Sequence, residues 1–206
     1  ISRMPMFSIP RTAKSLQDLP EKARAATRML DEIFWKQIAS MQVGRVFSEV
    51  TLVGGAGKAE AVRNIVHKLG VTLAEVMYVG DSITDEEAFK LVRGGGGLTV
   101  SFNGNRYAVQ NAEIAVLCED STVIGILAEE FAKQGREKTL DIIEHWDRKV
   151  LLKSLGDEDL LNLFFKLYPE KLPKVKIVTK ENMEILTKES TEFRKKVRGE
   201  AVGRLG

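Results

Sequence analysis

Three short apolar runs rich in β-branched residues, each leading through a short turn into an amphipathic segment, constrain this chain more than any other feature. Val76-Met-Tyr-Val79 leaves through Gly80-Asp81, and Leu98-Thr-Val-Ser-Phe102 through Asn103-Gly104-Asn105. Ile114-Ala-Val-Leu117 runs on to Ser121, the cap of a helix reaching about Lys133. Such nearly continuous apolar character marks strands buried on both faces. Strands separated by helix-length connections pair in parallel, because a parallel neighbour requires a crossover. The expectation is an α/β fold, a doubly wound parallel sheet in a three-layer, Rossmann-like core.

The flanking segments extend this reading. Arg45 to Val53 is expected to be a further strand, ending in the Gly54-Gly-Ala-Gly57 turn. Helix follows from Lys58 to Leu69, with Val62, Ile65, Val66 and Leu69 as its buried face and Gly70 as its C′ residue. Thr72-Leu-Ala-Glu75 has the form of a capping box, and a helix is expected over Asp85 to Val92 before the turn Gly94 to Gly97. Upstream, residues 1 to 15 are irregular, and Leu16 to Gln42 reads as a helical pair with Pro20 in a first turn. Downstream, Lys138–Ser154 and Asp157–Leu167 look like amphipathic helices, the second burying Leu160, Leu163, Phe164 and Leu167. A strand at Val175–Val178 and a charged helix from Thr179 close the chain. The division expected is 1–44 as a leading, largely helical segment, 45–134 as the sheet-forming core and 135–206 as a helical C-terminal extension. That extension either lies on the core or forms a homodimer contact.

Composition excludes several classes. The 31 Lys and Arg of the 206 residues nearly balance 29 Asp and Glu, so no single-sign field points to nucleic acid or an anionic membrane as a partner. No apolar run approaches the roughly 20 residues of a membrane span. Cys118 is the sole cysteine, which fits a reducing, cytoplasmic setting rather than a disulfide scaffold. The chain opens Ile1-Ser-Arg-Met-Pro5 rather than with Met, and the expectation is that sequence upstream is missing.

The chemistry concentrates in Val79-Gly-Asp-Ser-Ile-Thr-Asp85. Its strand delivers Asp81 to the carboxyl edge of a parallel sheet, where such folds bind ligands, and Asp85 follows at the next helix. Two carboxylates on one loop make an oxygen-rich site of the kind hard Mg²⁺ favours. Gly80 permits close backbone approach, while Ser82 and Thr84 can hydrogen-bond the carboxylates. Lys58, just past a neighbouring glycine turn, could bring an ammonium to the same edge and neutralise phosphate charge. The plainer alternative is an ordinary turn, with Asp85 complementing the N-terminal pole of its helix.

Taken together, Gly57-Lys58-Ala-Glu-Ala-Val, Leu69-Gly70-Val71, Val79-Gly-Asp-Ser-Ile-Thr-Asp85 and Gly97-Leu-Thr-Val-Ser-Phe-Asn103 resemble the C-terminal half of a haloacid dehalogenase superfamily phosphatase core. The members most similar carry a cap between the second and third conserved motifs; the resemblance covers roughly residues 45 to 132 and implies that 1–44 is the remnant of that cap. It implies a Mg²⁺-dependent phosphomonoester hydrolase acting on a small phosphorylated metabolite through an aspartyl-phosphate intermediate. By the same resemblance Lys58 steadies nucleophile and phosphoryl group, Asp81 and Asp85 hold the metal, and Ser82 and Asn103 border the phosphate.

The sequence departs from that family in one respect. The Asp-x-Asp-x-Thr/Val string that supplies the nucleophile and the general acid and base is absent from these 206 residues. Either it lies upstream, or the chain is a non-catalytic relative whose acidic loop is a metal-binding or protein-interaction module. Other motifs carry less. Gly54-Gly-Ala-Gly-Lys58 lacks the spacing of a P-loop, and His67 and His145 have no metal-spaced partners. Arg194-Lys-Lys-Val-Arg198, flanked by glutamates, reads as a solvated helix face.

Overall fold

The structure, a computed structural model, describes residues 15–45, 49 and 53–199. Contacts divide the chain into two units, Ile1–Leu52 and Val53–Gly206.

In the first unit a turn at Leu16–Asp18 is closed by Asp18, whose carboxylate accepts from the Ser15 N–H and hydroxyl. Pro20 is the N-cap of α1, Glu21–Asp31, rather than a first-turn residue. The helix continues as a wider π turn over Glu32–Ile38, and a 3₁₀ turn spans Gln42–Arg45. The expected pair is thus one long helical run followed by a short turn. Most of the strand expected over 45–53 lies outside the described residues.

In the second unit α2 spans Ala56–Leu69, β1 Met77–Gly80, α3 Glu86–Gly94, β2 Leu98–Phe102, α4 Arg106–Asn111 and β3 Ile114–Leu117. Next come α5 Thr122–Glu144, α6 Arg148–Ser154, α7 Glu158–Leu167, β4 Lys174–Ile177 and α8 Met183–Arg198. The sheet order is β1-β2-β3-β4; the first two pairings are parallel and the third is antiparallel. Sheet and helix layers therefore agree with an α/β fold whose sheet is mostly parallel.

Strand alternation sorts the core into two faces. Met77, Val79, Leu98, Val100, Ile114, Val116 and Val175 pack against α5, α6 and α7 through residues such as Ile126, Leu127, Ile143, Leu151 and Phe164. On the opposite face, Val76 and Tyr78 meet Val62, Ala88 and Val92 of α2 and α3, and Ala115 meets Val109 and Leu186 of α4 and α8.

This packing corrects the expected division at 134. Residues 135–199 are not an appendage: they supply one strand of the sheet, much of one face of its core and a helix on the other face. Two helix faces also differ from expectation. In α2 the buried residues are Ala59 and Val62, while Ile65 and Leu69 are exposed. In α7 Leu161 and Phe164 are buried, and Leu163 and Leu167 are exposed. Helical spacing alone offers more than one apolar row, and the row buried is the one that meets α3 in the case of α2 and α5 in the case of α7. The helix expected over 138–154 is split, because Asp147 caps a new helix by accepting from Val150 N–H. Among the described residues no helix is long and apolar enough to cross a membrane.

Candidate functional site

Strands β1 and β2 end side by side, with Gly80 in register with Ser101, so the loops that follow them share one rim of the sheet. Asn105 N–H donates to Asp81 O at 2.8 Å and ties the two loops together. After β1 the chain makes a single 3₁₀ turn, Ile83–Asp85, that folds Asp85 back over its own strand. Glycine at position 80 is required for this return: a Cβ there would lie 2.6 Å from Asp85 Cγ.

Asp85 is 3% exposed and is surrounded by donors. Oδ1 accepts from Lys58 Nζ at 2.7 Å and from Tyr78 OH at 2.9 Å. Oδ2 accepts from the N–H groups of Asp81 and Ser82, both at 3.0 Å, and from Ser82 Oγ at 3.1 Å. Burial pushes this carboxyl up, but the hydrogen bonds from Lys58, Asp81, Tyr78 and Ser82 outweigh it and hold the group below its ordinary value. Burial, reinforced by the bond to Asp85 and its charge, raises the Tyr78 phenol.

Lys58 reaches the cluster from the first turn of α2. The Gly54-Gly55 turn before it is fixed by Gly55 N–H donating to Thr84 O at 3.0 Å. Lys58 Nζ also donates to Thr84 Oγ1 at 2.9 Å, and the Thr84 and Ser82 hydroxyls are 2.9 Å apart. Since Asp85 accepts only, the proton order is determined: Lys58 to Thr84, Thr84 to Ser82, Ser82 to Asp85. The result is a closed ring joining the ammonium to both carboxylate oxygens.

Asp81 points elsewhere. Its Oδ2 lies 2.8 Å from Arg194 Nη1 and 2.7 Å from Arg198 Nη2, both on α8. Arg194 Nη1 also donates to Asp81 O at 3.0 Å and to Asn103 O at 3.1 Å. The basic run at 194–198 is therefore not a uniformly solvated face. Arg194 is 5% exposed, and the acceptors that draw it in lie more than 90 positions away in sequence. The signal available in the sequence was the spacing of four between two arginines on one helix face.

Asn103 borders the rim through its carbonyl alone. Its side-chain amide donates to Cys118 O at 2.7 Å and accepts from Cys118 N–H at 3.0 Å, pinning the end of β2 to that of β3. The residue has φ 48°, a left-handed conformation that Asn tolerates. Its amide is thus committed to the fold and not turned to a phosphate. Cys118 itself is buried, which pushes its thiol up and fits a packing role.

The structure thus brings Lys58, Ser82, Thr84 and Asp85 into one network and joins Asp81 to it through the backbone, while the Asp81 carboxylate belongs to a second network with α8. Three cations, Lys58, Arg194 and Arg198, face two carboxylates. A separate groove of about 740 Å³, bordered by Trp146, Lys149, Lys171, Pro173 and Lys176, shares no residue with either network.

No protein-family model matches the chain, and no curated protein does. Among solved structures it is similar to the gene product AF1437 from Archaeoglobus fulgidus, with a TM-score of 0.60 and 21% identity over 91% of this chain. The similarity spans 56% of that protein's length, and at this identity it concerns the fold alone.

Proposed function

We propose that these residues form the lysine-and-acid half of a phosphoryl-transfer site, and that the protein is a phosphomonoester hydrolase of the haloacid dehalogenase kind acting on a small phosphorylated metabolite. The observation that carries this reading is the 2.7 Å contact of Lys58 Nζ with Asp85 Oδ1 at the carboxyl end of a parallel strand. Asp85 orients the ammonium, the Thr84 hydroxyl, itself paired with Ser82, accepts from it at 2.9 Å, and the side chain of Lys58 remains 30% exposed. A positioned cation of this kind stabilises charge on a transferring phosphoryl group. The attacking aspartate and the second aspartate that moves the proton in such enzymes have no counterpart among the 206 residues, which hold no Asp-x-Asp-x-Thr/Val string.

Magnesium, which the resemblance implies, does not fit the acidic loop as it is folded. Both Asp85 oxygens are taken by protein donors, and Asp81 Oδ2 is shared by two guanidinium groups. The same observation favours a second reading, a non-catalytic relative whose loop serves binding or assembly. An Asp-x-Asp-x-Thr/Val string after an apolar strand in the upstream coding sequence separates the two in favour of the enzyme.

The direct test uses inorganic phosphate and an aryl phosphate. Calorimetry is expected to find saturable phosphate binding by the 206-residue chain, weakened about tenfold by Lys58→Met, a loss of one charge-assisted contact. The aryl phosphate is expected to remain unhydrolysed. No phosphate binding, or robust hydrolysis by this chain alone, overturns the assignment.

A further inference from the structure

Helix α8 brings to the rim two residues that the phosphoryl-transfer reading does not call for. Leu186, Ser190, Arg194 and Arg198 recur every four positions and form one stripe of the helix. Leu186 is buried with Val109 and Ala115, and Ser190 Oγ donates to Gly104 O at 2.6 Å. These two contacts seat the helix independently of charge and deliver the two guanidinium groups to Asp81 Oδ2 at 2.8 and 2.7 Å. A guanidinium stays protonated throughout the working range of a protein and is suited to gripping a carboxylate.

We infer that α8 closes the acidic loop against divalent cations: Arg194 and Arg198 act as a built-in counter-cation on Asp81, so that docking of this helix and binding of a divalent ion at Asp81 exclude each other. The inference rests on the phosphoryl-transfer reading for its choice of competing ligand. Its physical basis is repulsion. An ion at Asp81 would face two positive charges converging on one oxygen, while Asp85 has no oxygen left to share.

Two observations show where the clamp is least firmly held. Arg194 Nε is buried without a hydrogen-bond partner, so the docked guanidinium is incompletely satisfied. Arg198 ends the helix beside Gly199, with its side chain 36% exposed. By linkage, whatever loosens α8 raises the affinity for the ion by the factor with which the ion loosens α8.

The test is a titration with Mn²⁺ followed by the paramagnetic signal of the free ion. It uses the 206-residue chain carrying His145→Ala, which disables the exposed Asp141, Glu144 and His145 group. This chain is expected to show no saturable binding up to concentrations on the order of 1 mM, the weak end for carboxylate sites. Arg198→Gln, at the exposed end of the clamp, is expected to create one site, and Arg194→Met added to it to tighten that site about tenfold. Asp81→Asn is expected to abolish the site in either variant. Circular dichroism checks each fold, and Arg198→Gln decides alone if the double variant fails to fold. Asp81-dependent binding before any arginine is changed, or a folded Arg198→Gln variant with no such site, overturns the inference. The readout needs neither phosphate nor turnover, so this inference and the phosphoryl-transfer reading fail separately.

Discussion

Asp85 does more for the fold of the rim than any other single residue, because five donors converge on its two oxygens. Replacing it by Asn puts an amide donor against donors and leaves at least one unpaired, an expected loss of about 2–4 kcal/mol in urea unfolding. The pH dependence follows from the direction of its shift. The folded carboxyl lies below its unfolded value of about 3.9. The unfolded chain therefore binds more protons across that interval, and stability rises with pH there. The contribution is complete above about pH 5 and is lost as pH falls through the folded value. The gap in thermal unfolding between the wild type and Asp85→Asn should accordingly begin to narrow only below about pH 4 and go on narrowing toward the lower, folded value, and a constant gap between them would remove the carboxylate from the explanation. Gly80→Ala meets the same group from the other side, with its new methyl inside contact distance of Asp85. Its expected cost is about 1–3 kcal/mol.

At the scale of elements, α5 contains a feature that its length conceals. Gly135 has φ 76° and ψ 178°, so the chain leaves helical geometry there and resumes it at once. Around the break Thr139 Oγ1 donates to Gly135 O at 2.9 Å and Arg136 pairs with Glu113, just before β3. A methyl group at 135 would meet nothing within 4 Å, but this backbone region is nearly exclusive to glycine. Gly135→Ala is therefore expected to cost about 1–3 kcal/mol from backbone strain alone, read as a lower urea midpoint with unchanged slope. Local spacing made several elements legible in the sequence. The strands at 77–80, 98–102 and 114–117 carry their own apolar runs, and Lys58 and Asp85 each sit one turn from a glycine bend. What local spacing could not reveal was partnership at a distance. Nothing near Arg194 names Asp81, and nothing in Val175-Lys-Ile177 tells that it runs antiparallel to β3. The buried faces of α2 and α7 differ from expectation for a related reason: which stripe is covered depends on the neighbouring helix, α3 or α5, that packs against it, and a helix does not encode that.

At the scale of the whole second unit, the sheet is completed by residues far along the chain. Ile142, Ile143, Leu151, Leu161, Phe164 and Val175 pack on Val100, Ile114, Val116, Ile126 and Leu127, all in one cluster. Burying a large apolar side chain contributes about 1.5–3 kcal/mol. The six named side chains together are thus worth roughly 9–18 kcal/mol, as much as the entire 5–15 kcal/mol by which a typical domain is stable. Ending the chain after Gln134 would remove all six, uncover the far edge of β3, and take away the α8 arginines that hold Asp81. Such a truncated chain is expected to lose cooperative thermal unfolding and to bind a hydrophobic dye, keeping at most fluctuating helices. A sharp unfolding transition with native-like near-ultraviolet dichroism from the truncated chain would show instead that residues before 135 close a core of their own. The sheet would then have to shield Val100 and Val116 with something other than α6 and α7.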